Sequence, residues 1–258
     1  YGDYMAFGAL AAYAFNGPRG LGIVVSVLLA MLATAVLSLV LDVTLWRPLR
    51  ARRAGFMSLF LASIGLALVL RQVLLLAYGP QSQEYKVNPY KVYVIGSVRL
   101  SEAQFITILV AAVAIVAIGL FLSRSTIGRT MRALADDRAL AAVAGINVGR
   151  VIAYTWILSG LLAGLAGVLA GLIQTSFNPN FGFQLLLPVF AAVVLGGVGS
   201  AYGALAGGLA LGLAMELSTW PSLLGGVNPV YKPVVAFAVL IAALMVRPQG
   251  LFGRARVI

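Results

Sequence analysis

Residues 21–41 read Leu-Gly-Ile-Val-Val-Ser-Val-Leu-Leu-Ala-Met-Leu-Ala-Thr-Ala-Val-Leu-Ser-Leu-Val-Leu, without a single charge. A helix of that length extends about 31 Å, the thickness of a bilayer's hydrocarbon core. Val151–Ile173 is a second such run, and Phe105–Leu122 is slightly shorter. Phe56–Tyr78 is interrupted only by Arg71 and Gln72. Val234–Val246 reaches spanning length when Val227–Pro233 is counted with it. Tyr4–Phe15 predicts a short first helix, closed by the breaker Asn16-Gly17-Pro18.

The composition agrees. Of 258 residues, 62% are hydrophobic and 10% charged, with a mean hydropathy of +1.02. No soluble core absorbs that much apolar surface, so a soluble enzyme is excluded. Cysteine and histidine are both absent. Thiol chemistry, disulfides, the usual zinc sites and histidine triads are thereby removed.

Phe181–Met215 runs 35 residues without a charge. One helix of that length would extend about 52 Å, too long for a single crossing. Gly196-Gly197-Val198-Gly199-Ser200 at its middle is the expected break. Two short spans result, or a re-entrant pair turning within protein, and the chain returns to the side it left. The fold class is an all-α polytopic membrane protein of about eight hydrophobic helical segments. Short segments with little side-chain bulk suit a route through the membrane, which makes Gly196, Gly197, Gly199 and Ser200 candidates to line or gate one.

Charge sets the orientation. The net charge of +11 would suggest nucleic acid in a soluble protein, but here it reports topology. Arg47, Arg50, Arg52 and Arg53 share one loop; Arg124, Arg129, Arg132, Arg138 and Arg150 share another; Arg247, Arg254 and Arg256 lie in the tail. These twelve of the 18 basic residues fall on one side, which is then cytoplasmic. No nucleic-acid partner is expected.

Gly160, Gly164, Gly167 and Gly171 recur at steps of four, three and four, so they line one helical face. Small residues let helix backbones approach closely in lipid, and internal packing is favoured over subunit dimerisation. Asp42, Arg71, Glu216 and Lys232 are the ionisable residues near the membrane. Their positions near helix ends favour anchoring or ion pairing over substrate contact. In the outer connection 79–104, aromatic and β-branched residues around Gly96-Ser97 predict a short hairpin, either a lid or a landing surface.

The cytoplasmic segment 123–150 predicts an alanine-rich helix running to a stop at Gly145. It reads as a solvated linker or as a helix docked in a groove of another protein. The chain has no glycine loop ending in Gly-Lys-Ser/Thr, so it does not bind ATP by that device.

Gly128–Val148, followed by Leu162-Ala163-Gly164-Leu165-Ala166-Gly167-Val168-Leu169, resembles the permeases of branched-chain amino acid ABC importers, the Liv type. Val194–Ala204 and Arg247–Gly253 resemble two further family blocks. The opening Gly2-Asp3-Tyr4-Met5 with Gly8-Ala9 resembles a block that follows the family's first span, so a preceding span is expected. The resemblance implies a single permease domain over 1–258 with a coupling segment at 123–150, in a bacterial or archaeal cytoplasmic membrane. It implies a second permease in a heterodimer, two ATPase subunits that hold ATP and Mg, an extracytoplasmic binding protein, and no cofactor in this chain. Arg132, Asp136, Asp137, Arg138, Ala141 and Gly145 become the expected ATPase-coupling residues. One departure stands out. The acidic residue and two alanines that often precede the family's glycine fall here on Ala139, Leu140 and Ala141, with Asp137 displaced by two positions. A urea, amide or other amino acid importer is the rival within the class, and an autonomous secondary carrier the rival outside it.

Overall fold

A computed structural model describes residues 1–86, 92–95, 98–174, 176–197, 201–220, 228–247 and 250. Among the described residues eight apolar helices carry the predicted segments. These are α1 (Gly2–Asn16), α2 (Ile23–Leu41), α4 (Phe56–Tyr78), α5 (Glu102–Arg124), α8 (Val148–Gln174), α9 (Phe181–Gly196), α10 (Ala201–Ser218) and α11 (Lys232–Val246). Three short helices lie between them: α3 (Arg47–Ala51), α6 (Thr126–Asp136) and α7 (Arg138–Val143). Among the described residues four helices are long and apolar enough to cross a membrane, with α2 running on as far as Ala51. The chain is a multi-pass membrane protein.

Local chemistry sets the ends. Asn16 closes α1: its Nδ2 donates to the Leu21 carbonyl at 2.9 Å, while its Oδ1 accepts from the Lys86 amide at 2.8 Å. Ser101 and Gln104 form a reciprocal capping box at the start of α5. The predicted hairpin is present as β2 (Val92–Ile95) paired antiparallel with β3 (Val98–Ser101), while Gly96 and Ser97 lie outside the described residues. A second, two-residue pairing joins β1 (Gln83–Glu84) to β4 (Ser176–Phe177). It brings Tyr85 against Phe177, with ring centroids 4.9 Å apart, and the Tyr85 hydroxyl donates to the Ala9 carbonyl at 3.0 Å. Burial pushes that phenol far above its usual range, so it stays a donor.

Two compact units are distinguished, Tyr1–Phe183 and Gln184–Ile258. In the first, α1, α2 and α8 make the core. The buried residues of α2 include Ser26, Ala30, Thr34 and Ser38, and Asp42 continues the step of four. Within this stripe Thr34 and Ser38 meet the glycine face of α8 at Gly160 and Gly164. Ser38 donates to the Trp156 carbonyl at 2.7 Å across the contact. Helix α2 then widens into a π turn, Asp42–Trp46, before α3. There the Trp46 indole stacks on Trp156 at 6.0 Å. By contrast α4 and α5 each bury one residue, Leu74 and Thr107. In the second unit Ala191, Leu195, Leu211, Ala236 and Leu240 form an apolar cluster joining α9, α10 and α11.

Candidate functional site

Between α5 and α8 the chain folds into two short helices rather than the one predicted. Ser125 starts α6, its hydroxyl accepting from the Gly128 amide at 2.8 Å. A Cβ on Gly128 would lie 2.6 Å from the Phe121 and Leu122 carbonyl oxygens, so only glycine allows α6 to fold back on the end of α5. The helix stops at Asp136. Asp137 adopts an extended conformation, and its carboxylate accepts from the Ala139 and Leu140 amides at 2.8 and 3.0 Å, starting α7. Asp137 is thus a cap within the chain. Gly145, at φ +81°, ends α7. The Ile146 amide donates to the Ala141 carbonyl and the Gly145 amide to that of Ala142, the Schellman pattern. Asn147 then caps α8 through the Arg150 amide.

The expected coupling residues separate on this frame. Arg132, Asp136, Arg138 and Gly145 are exposed. Ala141 is 4% exposed, turned inward, and is not offered to a partner. The apolar side chains facing outward are Leu140 and Val143, 67% and 87% exposed. Reading the residues for family positions named Leu140 only as a departure from the pattern and passed over Val143. Their flanking of the buried Ala141, at i−1 and i+2 on a short helix, was the available signal.

The four glycines of the predicted face, Gly160, Gly164, Gly167 and Gly171 of α8, all face close neighbours. A Cβ on Gly160 would lie 2.7–2.8 Å from Ser38, Ala35 and Thr34 of α2. On Gly164 it would meet the Thr34 hydroxyl at 2.9 Å, and on Gly167 it would overlap the Met5 carbonyl of α1. Gly171 faces Tyr85 and Phe177 at 3.0–3.1 Å. Sequence reasoning missed the answering stripe on α2, because serine and threonine at steps of four do not reveal a packing face as glycine does.

At the break after α9, Gly196 and Gly197 are buried. Gly196 and Gly207 take up the close approach of α9 and α10, each with no room for a Cβ. Gly197 sits at φ +104°, and a Cβ on Gly250 would lie 2.6 Å from it. Gly199 and Ser200 lie outside the described residues. The membrane charges are paired: Asp42 with Arg50 at 2.5 Å, Arg71 with Asp3 at 3.4 Å, and Glu216 with Lys232 at 2.7 Å. No cluster of three potential metal-ligating side chains occurs among the described residues.

The family described as branched-chain amino acid transport system / permease component matches residues 1–244. The high-affinity branched-chain amino acid transport system permease protein LivH of Salmonella typhimurium is 32% identical over 263 residues, 99% of this chain and 83% of the relative. BraD of Pseudomonas aeruginosa, which carries the same description, is 32% identical over 279 residues, with the same coverage of each chain. A probable branched-chain amino acid transport permease protein LivH of Methanocaldococcus jannaschii is 28% identical over 259 residues, 98% of this chain and 81% of the relative. No solved structure matches the chain.

Proposed function

Since the chain belongs to the branched-chain amino acid transport permease family, we propose that it is the membrane-spanning subunit of an ATP-driven importer of branched aliphatic amino acids. The family match over 1–244 carries this reading. In it, two cytoplasmic ATPase subunits supply the energy, a second permease completes the route, and an extracytoplasmic binding protein delivers the solute. The membrane is the cytoplasmic membrane of a prokaryote. ATP and Mg belong to the ATPase subunits.

The coupling surface is the α6–α7 segment. It joins two membrane helices on the arginine-rich side, and Leu140 and Val143 give it an apolar ridge, 67% and 87% exposed among the described residues. Gly196, Gly197, Gly199 and Ser200 line or gate the route, a reading supported by the close packing of α9 and α10 at Gly196 and Gly207. Purified permease, reconstituted with and without its ATPase and binding protein, tests the whole reading. Leucine uptake is expected only in the complete assembly with ATP. Leucine transport by the permease alone would replace the importer with a secondary carrier.

A further inference from the structure

Of the three ion pairs among the described residues, Glu216–Lys232 is tight and open to solvent, with a Glu216 side chain 71% exposed. Asp42–Arg50 is tight and lies at the arginine-rich end of α2. Asp3–Arg71 differs. Its nearest N–O approach is 3.4 Å, long for a charge-assisted hydrogen bond. Arg71 Nε is buried without a hydrogen-bond partner. The guanidinium lies 4.4 Å from the centroid of the Phe183 ring, and Phe183 is 52% exposed. Arg71 sits seven residues, about 10 Å of helix, before the Tyr78 end of α4 and within an apolar span, where an uncompensated charge is costly. A stretched pair of opposite charges with a spare donor therefore stands behind an accessible aromatic ring.

A free amino acid entering the membrane sheds water from a carboxylate and an ammonium carried on the same carbon. A cation and an anion a few ångströms apart, beside an apolar wall, match that head group. We propose that Asp3, Arg71 and Phe183 form an intramembrane site for the zwitterionic head of an apolar α-amino acid. Arg71 donates to the carboxylate, using Nε among its donors, while Asp3 accepts from the ammonium. Phe183 covers the start of the aliphatic side chain. Between visits the two side chains compensate each other, so neither charge is stranded in hydrocarbon. The site rests on the importer reading above and gives it a contact within this chain.

The chain has no cysteine, so Leu68→Cys, one exposed turn before Arg71 on α4, supplies a single label and leaves the site intact. In the assembled permease without binding protein, leucine is expected to slow alkylation of that thiol by about tenfold at saturation. Leucinamide and 4-methylpentanoate, which keep one charge each, should protect far less. Arg71→Lys, which retains charge but not the Nε donor, should weaken protection by leucine severalfold. Equal protection by the single-charge analogues, or none by leucine, would overturn the site. So would wild-type leucine uptake by the exchanged pair Asp3→Arg/Arg71→Asp, the mark of a purely structural bridge. Leucine uptake by the unsubstituted complete assembly is measured alongside. Its absence would sink the importer reading, whereas uptake without protection sinks only the site.

Discussion

Gly167 and Gly212 are both helix-interior glycines, yet opposite outcomes are expected at them. A methyl group on Gly167 would overlap the Met5 carbonyl, whereas at Gly212 nothing lies within 4 Å. Gly167→Ala should lower stability by about 1–3 kcal/mol through overpacking. Gly212→Ala should raise it by about 0.5–1 kcal/mol through the unfolded chain's entropy. Thermal unfolding in detergent checks both signs. Asp42 allows a similar test, because it is 1% exposed and one carboxylate oxygen is held by Arg50 while the other has no partner. Arg50→Ala should destabilise by about 3 kcal/mol, since a buried charge loses its compensation. The glycine spacing of α8 was legible from four letters alone, but the identity of the opposing helices was not. Periodicity names a face, and only the fold supplies what meets it.

For the helices between α5 and α8, sequence and structure part company at Asp137. Alanine propensity predicts one helix to Gly145, but an aspartate competes with backbone acceptors and opens a new helix instead. Asp137→Ala should remove about 1 kcal/mol of capping and weaken coupling of ATP hydrolysis to uptake, measured in vesicles with binding protein and leucine. Docking follows from the same geometry. Val143→Asp or Leu140→Asp should keep the permease folded yet lose co-purification with the ATPase. Ala141→Trp should disturb the chain's own packing, because that side chain faces inward. Retention of the ATPase by both exposed-site variants would place coupling on another surface. Gly145 was readable as a stop because a positive φ suits a residue without a Cβ, and it has one.

At the scale of the molecule, topology rests on arginines and is open to direct labelling. Arg52→Cys should react with a membrane-impermeant thiol reagent only in inverted vesicles, and Gln81→Cys only in right-side-out ones. The orientation read from the arginines is what this labelling tests, while spans were legible because hydrocarbon thickness acts on composition. Which spans form the core was not, because lipid-facing and protein-facing leucines look alike in sequence. Helices α4 and α5 are as apolar as α2, yet bury almost nothing in this chain.

The α1–α2–α8 core also carries a schedule. From the end of α2 at Leu41 to the end of α8 at Gln174 the ribosome adds about 130 residues, which at 5–20 residues per second takes on the order of ten seconds. Through that interval Thr34 and Ser38 of α2 wait in the membrane without the glycine face that will meet them. Until α8 arrives, the packing and the hydrogen bond that it gives α2 are missing. Translation slowed before Gly160 lengthens the exposure and should raise the fraction of chains degraded during biogenesis.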